Sequence, residues 1–575
     1  MTLRLDDRHN AILDTDRHAL VLGGPGSGKT TLALLKAERR IDHGLRNGQA
    51  ILFLSFSRAA VARIEDALAR SVSPKKRALL HVQTFHSFFW EILQAHGYLL
   101  GAPRVLSILP SHDEKALRNG IQPDDAKWNE WEDKRNGLFH DSGRVCFDLF
   151  APLATDLLRR ARRICHRIAA KYPLIIVDEA QDTGTAQWEC VRALADRVQL
   201  LCLADLDQLI FDHLPGVGPQ RVEEIRAALQ PVEIDLGSDN NRSPGTEIAV
   251  FAKDILHGVV RGAAYKNIGR SRFKADAAAR DRRIRQSVGR VFSRIKELTG
   301  KPAESVAVIA SFSRGVSIIS AALRQDRAIP HQVLFDEAFV LLASKIGAFL
   351  LEPPSPSQSA DLCTLLELLA HAYRAKGGKT ALGKADTLLT WVAKCRHNTP
   401  PRTKLMTALI ALSRSCAAEQ HTGQPAKDWL RIKHLLRASG APELEDVAEA
   451  LDYLIAFNRG YRISASLSAL WLETGTYRGA RRALDDALAQ EQLISATDSL
   501  KGIHVMNIHK CKGKQFDGVI LYRAQHSSPF VWPNDQPPYA KSRRILHVAI
   551  SRARSYVLII DEAYSDCPIL DPHNL

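Results

Sequence analysis

An α/β fold with parallel sheets, in two successive domains that each carry a mainly helical insertion, is what this sequence predicts, and three observations predict it. Short apolar runs alternate with helical stretches as far as residue 233. The same alternation resumes at Ser305 and returns after Gly502. Between 350 and 500 the pattern turns helical, opening on the breaker-rich Glu352-Pro353-Pro354-Ser355-Pro356-Ser357, with a second break at Asn398-Thr399-Pro400-Pro401. The expected layout is a first domain over 1–96 and 171–233 with an insertion at 97–170. The second spans 234–350 and 501–575, with a helical insertion at 351–500.

The first strand, Ala19-Leu20-Val21-Leu22, runs into Gly23-Gly24-Pro25-Gly26-Ser27-Gly28-Lys29-Thr30, and a helical stretch from Thr31 follows at once. Strand, G-x-x-x-x-G-K-T, helix is a phosphate-binding loop in its required context. Its glycines let backbone N–H groups turn inward around phosphate oxygens, and the helix N-terminus adds the positive end of its dipole. Lys29 supplies a point charge to the outer phosphates, and the Thr30 hydroxyl is placed to ligate Mg²⁺. A second strand, Ala50 to Phe56, precedes a helix over Arg58–Arg70. The run from His81 to Phe89 is strand-like before another helix. The insertion that follows carries Trp128, Trp131 and a basic helix over Leu157–Lys171.

Pro173 to Val177 is fully apolar and ends in Asp178-Glu179, the pattern of a buried parallel strand delivering acids at its C-terminal end. Asp178 suits a water-mediated hold on Mg²⁺, and Glu179 suits the general base that activates a water. Such a segment alone also fits a strand ended by solvated acids; a phosphate loop about 150 residues upstream decides for chemistry. Leu200 to Ala204 is another buried strand, ending in Asp205-Leu206-Asp207-Gln208, where Gln208 suits a γ-phosphate sensor. In the second domain, strands fall at Ser305–Ser311, Gly502–Ile508, Gly518–Tyr522 and Tyr556–Asp561. The basic segment Arg270–Lys296 reads equally as a phosphate track or as a solvated helix face.

At 575 residues the chain is long enough for three or four domains, and 45% hydrophobic content supports buried cores. A formal charge of +15, from 78 Lys+Arg against 63 Asp+Glu, suits a polyanionic partner such as nucleic acid; a basic enzyme without one carries the same charge. The nine Cys form no C-x-x-C pair, which argues against a zinc ribbon or an iron–sulfur cluster and fits free thiols in a reducing cytoplasm. Met1 to Asn10 has no apolar signal region, and no stretch of 18 apolar residues occurs. The expected compartment is the cytoplasm, with no membrane contact.

In order, eight segments resemble the motifs of the UvrD/Rep branch of superfamily 1 helicases. Gly23–Thr30 looks like motif I, Leu52–Ala60 like motif Ia, and Thr84-Phe85-His86-Ser87-Phe88 like the "TFHS" element. Val177–Asp182 (VDEAQD) is similar to motif II and Ala204–Phe211 (ADLDQLIF) to motif III. Asn240-Asn241-Arg242-Ser243 resembles the "NYRS" of motif IV, Ile508–Asp517 (IHKCKGKQFD) motif V, and Arg544–Arg554 (RILHVAISRAR) motif VI. The resemblance implies two RecA-like P-loop motor domains with ATP and Mg²⁺ between them. It implies catalytic roles for Lys29, Asp178, Glu179 and Gln208, with Arg242 and Arg552 as arginine fingers from the second domain. Nucleotide contacts would come from Gly24, Pro25, Gly26, Ser27, Gly28, Lys29, Thr30, Thr31, His9 and Gly513. Single-stranded DNA would cross both domains past Phe56, Phe85, His86, Phe211 and His509.

The departures fall on recognition. The adenine-reading Gln of the family aligns with His9, the Arg after G-K-T with Thr31, and the Tyr of "NYRS" with Asn241; these weaken base selection. The stacking Trp of motif III falls near His213, and the Glu of motif V is Gln515. The leading expectation is an ATP-dependent translocase or helicase on single-stranded or tailed duplex DNA, with 3′→5′ polarity taken from the family alone. The alternative is an ATPase subunit that senses nucleic acid and regulates a partner nuclease in antiviral defence, similar to the short chains of Gabija-type systems.

Overall fold

A computed structural model describes residues 6–573, apart from 211–215, 238–242, 275, 326, 335–337, 398, 457–458, 494–500 and 533. Its strands in chain order are β1 (Ala19–Leu22), β2 (Ile51–Ser55), β3 (Leu80–Thr84), β4 (Ser107–Leu109), β5 (Arg144–Cys146), β6 (Leu174–Val177) and β7 (Gln199–Ala204). After these come β8 (Val232–Asp235), β9 (Ile268–Phe273), β10 (Ser305–Ala310), β11 (Gln332–Leu334), β12 (Gly502–Asn507), β13 (Phe516–Arg523) and β14 (Ala553–Glu562). The chain divides into two compact units. One comprises Met1–Ala95, Ala151–Phe335 and Ser495–Leu575; the other comprises His96–Phe150 and Asp336–Ile494.

The first unit holds two six-stranded parallel sheets, in the orders β3-β2-β6-β7-β1-β8 and β11-β12-β10-β13-β14-β9. β1 lies between β7 and β8, with Ala19 opposite both Leu201 and Val232. Every residue of β2 and β6 is buried, as a parallel strand covered on both faces requires. The first core gathers Leu20's neighbours Ala19 and Val21, with Phe53, Ile176, Leu201 and Leu203, under Leu32, Ala33 and Ala37 of the helix Lys29–Asp42. In the second sheet β10 is entirely buried between β12 and β13. Ile210, from the segment after β7, packs into that second core and ties the sheets together.

Three local expectations change. Phe85 to Phe89 belongs to the helix Phe85–His96, not to the strand, which stops at Thr84. Thr84 Oγ1 accepts the Ser87 N–H at 3.1 Å, and helical spacing then buries Phe85, Phe88 and Phe89 together. The basic stretch is two helices, Phe150–Arg160 and Arg162–Lys171, broken at Ala161, whose φ of −107° and ψ of 72° leave the helical region. β9 and β11 enlarge the second sheet at its two edges.

The other unit is mainly helical, with β4 and β5 as a short parallel pair. It joins residues from both insertions, taking in His96–Phe150 of the first and beginning the second at Asp336, so that the helix Ala338–Leu351 belongs to it. Lys345, nearly buried, donates to both oxygens of Asp113 at 2.7 Å and lies 2.9 Å from Asp485, bridging the insertions with one ammonium.

Candidate active site

All the phosphate-directed residues of the first sheet emerge at its C-terminal edge, where parallel strands leave ligand-facing loops. The loop Gly23–Thr30 follows β1, and the helix Lys29–Asp42 begins on Gly28, whose φ of 100° puts it in the left-handed region. A Cβ on Gly23 would meet Ser27 Oγ at 2.6 Å, so this loop tolerates no side chain there. Lys29 Nζ donates to Gly23 O at 2.6 Å and Gly24 O at 3.0 Å, and lies 3.2 Å from Asp205 Oδ2. A bound phosphate would compete for that ammonium. Ser27 is buried, and among the described residues its Oγ has no hydrogen-bond partner. Pro25, Gly24, Gly26, Thr30 and Lys29 are partly open; Thr31 is exposed.

Asp178 leaves β6 buried, with Ser55 Oγ 3.3 Å from its Oδ2. Burial, then repulsion from Glu179, pushes its carboxyl up to about 6. Glu179 takes φ 51°, in the left-handed region, directly after the strand-end Asp178. Burial alone would raise its carboxyl, but the Lys512 and Lys29 ammoniums and the Gln181 amide outweigh it and hold the group below the usual carboxylate range. Gln181 Nε2 donates to Glu179 Oε2 at 2.6 Å, and Gln181 Oε1 accepts the Asp205 N–H at 3.0 Å. The carboxylates are thus held by each other's neighbours.

From Asp205 a polar chain crosses to the second sheet. Gln208 Nε2 donates to Asp205 Oδ2 at 2.6 Å, and Gln208 Oε1 accepts from Arg552 Nη2 at 2.5 Å. Arg552, 1% exposed, also donates from Nε to Val548 O at 2.9 Å, which fixes its fork. Lys512 reaches back the other way: its Nζ pairs with buried Asp182 and donates to Gln208 O at 2.5 Å. Arg63 donates to Gly513 O at 3.3 Å. Gly513 has φ 79°, and a Cβ on it would meet Ser57 Oγ at 2.8 Å, so glycine permits this close approach of the two domains. Lys512, Asp205, Gln181 and Arg63 were not singled out in the sequence. The first three sit inside recognised motifs, and only the fold shows that their side chains meet.

The recognition candidates are less coherent. His9 is buried, and its Nδ1 lies 2.6 Å from Asp6 Oδ1 within the capping box that starts the first helix, so the ring is committed to that turn. Phe85 is 1% exposed and packs on Phe89 at 6.0 Å; as a stacking platform it is a correction, because its ring is in the core. Phe56 and His86 are half-buried. His509 stands edge-on to Trp532 at 5.7 Å, and Trp532 in turn to Phe312 at 4.8 Å, with Lys541 Nζ 5.7 Å from the indole centre. Trp532 and Phe312 were missed, since a Trp in the loop Phe530-Val531-Trp532-Pro533 carries no motif. Phe211 and Arg242, like His213 and Asn241, lie outside the described residues.

Among the described residues, no helix is long and apolar enough to cross a membrane, and all nine cysteines are free and buried. His112, Asp113 and Asp485 are close enough to share a metal, but Lys345 already sits against both aspartates.

Against known families, residues 6–138 and 134–216 match the UvrD/REP helicase N-terminal domain, and residues 502–560 match the UvrD-like helicase C-terminal domain. The ATP-dependent DNA helicase Rep of Escherichia coli (strain K12) is 25% identical over 264 residues, covering 39% of each chain. A putative ATP-dependent DNA helicase, YjcD, of Bacillus subtilis (strain 168) is 22% identical over 98% of this chain and 78% of its own. DNA helicase II of Haemophilus influenzae is 27% identical over 33% of this chain and 32% of its own. The chain therefore spans about two fifths of the Rep proteins it matches. Two parallel-sheet domains meet over a phosphate loop, and the chain carries both a UvrD/REP helicase N-terminal domain and a UvrD-like helicase C-terminal domain.

Proposed function

We propose that this chain is an ATP-hydrolysing motor that moves on single-stranded DNA with 3′→5′ polarity and separates duplexes. The observation that carries this reading is the polar chain Lys29–Asp205–Gln208–Arg552, which links the phosphate loop of one sheet to an arginine of the other. Cleft closure and hydrolysis are then one event. Glu179, held ionised at neutral pH, takes a proton from water as the water oxygen attacks the γ-phosphorus and the β–γ bridging bond breaks, leaving ADP and phosphate. Lys29 leaves its loop carbonyls for the phosphates. Arg552, with Arg242 as its partner, neutralises charge that develops on the γ-oxygens. The hard oxygen donors of Thr30 and Asp178 fit Mg²⁺, and a cation beside Asp178 would relieve the repulsion that raises its carboxyl. Bound there, the ion neutralises phosphate charge.

Single-stranded DNA lies, in this reading, against the aromatic row Phe312, Trp532 and His509, with Lys541 adding charge, and against Phe56 and His86 of the first domain. Unwinding of 3′-tailed against 5′-tailed duplexes by the purified chain with ATP tests it. Opening of the 3′-tailed substrate alone is expected, and equal or no opening of both contradicts it. A regulatory ATPase beside a partner nuclease is the second reading, favoured by the burial of Phe85, which thins the track. It expects ATP hydrolysis without unwinding.

A further inference from the structure

Two arginine-rich segments look alike in sequence, and the structure separates them. In the segment around Arg270–Lys296 several cations are engaged internally, while Arg282 and Arg290 stay exposed. Arg270 pairs with Asp561 and Asp571, and Arg283 donates to Ser271 Oγ at 3.0 Å. Arg285 caps the C-terminus of the helix Ser313–Arg324 through the carbonyls of Ala322, Leu323 and Gln325, and Arg294 pairs with Glu297 at 2.9 Å. The helix Arg162–Lys171 instead gathers three exposed arginines within six residues. Ile164, Cys165 and Ala169 pin one side to the first domain, while Arg162, Arg163, His166 and Arg167 are exposed on the other. Among the described residues no ion pair or hydrogen bond engages the side chains of Arg162, Arg163 or Arg167. Their neighbours Arg159, Arg160 and Arg192 are each matched to Glu189 or Asp156 at 2.6–2.8 Å. Exposed Arg197 extends the face: it is near enough to Cys165 to lower that thiol against the stronger effect of burial.

We propose that this unmatched arginine face is a second nucleic-acid contact, gripping duplex phosphates at the edge of the first sheet opposite the phosphate loop. Its position follows from the fold, since Ala50 N–H donates to Lys171 O at the N-terminal end of β2, whereas Lys29 lies beyond the C-terminal end of β1. The face therefore cannot belong to the nucleotide cleft. No large hydrophobic side chain is exposed between Val105 and Leu206 among the described residues. A protein partner needs an apolar centre in its interface, while phosphate binding needs charge alone. Arg163 and Arg167 are one helical turn, about 6 Å, apart, which lets them reach successive phosphates. The choice of nucleic acid over another polyanion rests on the motor reading above.

The test is the triple variant R162Q/R163Q/R167Q of the full chain, bound to a blunt 20-base-pair duplex across a salt series, beside ATPase stimulation by a short oligo(dT). The expected result is a salt slope lower by about 2–3, near 0.9 per phosphate lost, and roughly tenfold weaker duplex binding. Oligo(dT) stimulation should stay within about twofold of the parent. An unchanged duplex slope overturns the proposal, as does parental binding to polyglutamate as tight as to duplex, which would make the partner an acidic protein. Absence of oligo(dT) stimulation in the parent would instead sink the motor reading, and duplex binding lost with the three arginines would still support the face.

Discussion

The phosphate loop's surroundings and the proposed base- and DNA-facing surfaces of the same unit are built in different ways. In the cleft, Lys29, Asp205, Gln208, Gln181, Glu179, Lys512, Asp182 and Arg552 form one connected network, nearly all of it buried. Each member's position depends on another's, so the geometry is over-determined. On the recognition side the candidates are separate. His9 serves a helix cap, Thr31 is exposed and Phe85 is core, while among the described residues the row Phe312–Trp532–His509 is a set of touching, partly open rings. In the proposed reading, chemistry common to all phosphates is built tightly, and what would tell one base or strand from another is left loose.

Substitutions in the network should therefore cost far more than those outside it. Arg552→Lys keeps a charge but loses the fork that holds Gln208 and Val548; a fall in kcat of about 10³ with KM for ATP changed less than tenfold is expected in steady-state assays. Glu179→Gln should lower kcat by about 10²–10⁴ while a fluorescent nucleotide still binds. A loss of binding equal to the loss of rate would show that Glu179 holds the fold of the cleft instead. On the other side, Trp532→Ala should raise the half-saturating concentration of oligo(dT) by about tenfold and leave DNA-free hydrolysis unchanged. Phe85→Ala should destabilise the chain by about 3–5 kcal/mol in denaturant unfolding. Its DNA half-saturation, measured where the protein stays folded, should match the parent. The smallest effect is expected from the nucleotide itself. GTP and CTP should support hydrolysis within about tenfold of ATP, and strict ATP preference would mean that residues beyond His9 and Thr31 read adenine.

The same contrast explains what could be read in the sequence. Phosphate chemistry requires fixed residue types at fixed spacings, so Gly23–Thr30 and Val177–Asp182 announce themselves, and the parallel sheets follow from apolar runs such as Leu174–Val177. Contacts between segments far apart in the chain leave no local trace. Nothing near Lys512 signals that its ammonium meets Asp182, 330 residues away, and nothing near Trp532 signals Phe312 and His509. Periodicity also misleads where aromatic residues begin a helix: Phe85 looks like the end of a strand until Thr84 caps the turn. The insertions were legible as helical. Their joining through Lys345 and Asp113 was not, because an ion pair between two insertions has no sequence pattern.

The central claim is that one buried network couples nucleotide hydrolysis to a DNA-bound state of the two sheets. Steady-state ATP hydrolysis by the parent and Glu179→Gln, with and without oligo(dT), tests it most directly. Stimulation of the parent by at least tenfold, abolished by the substitution, is the result this account requires. Hydrolysis indifferent to DNA, or DNA stimulation that survives Glu179→Gln, would contradict it.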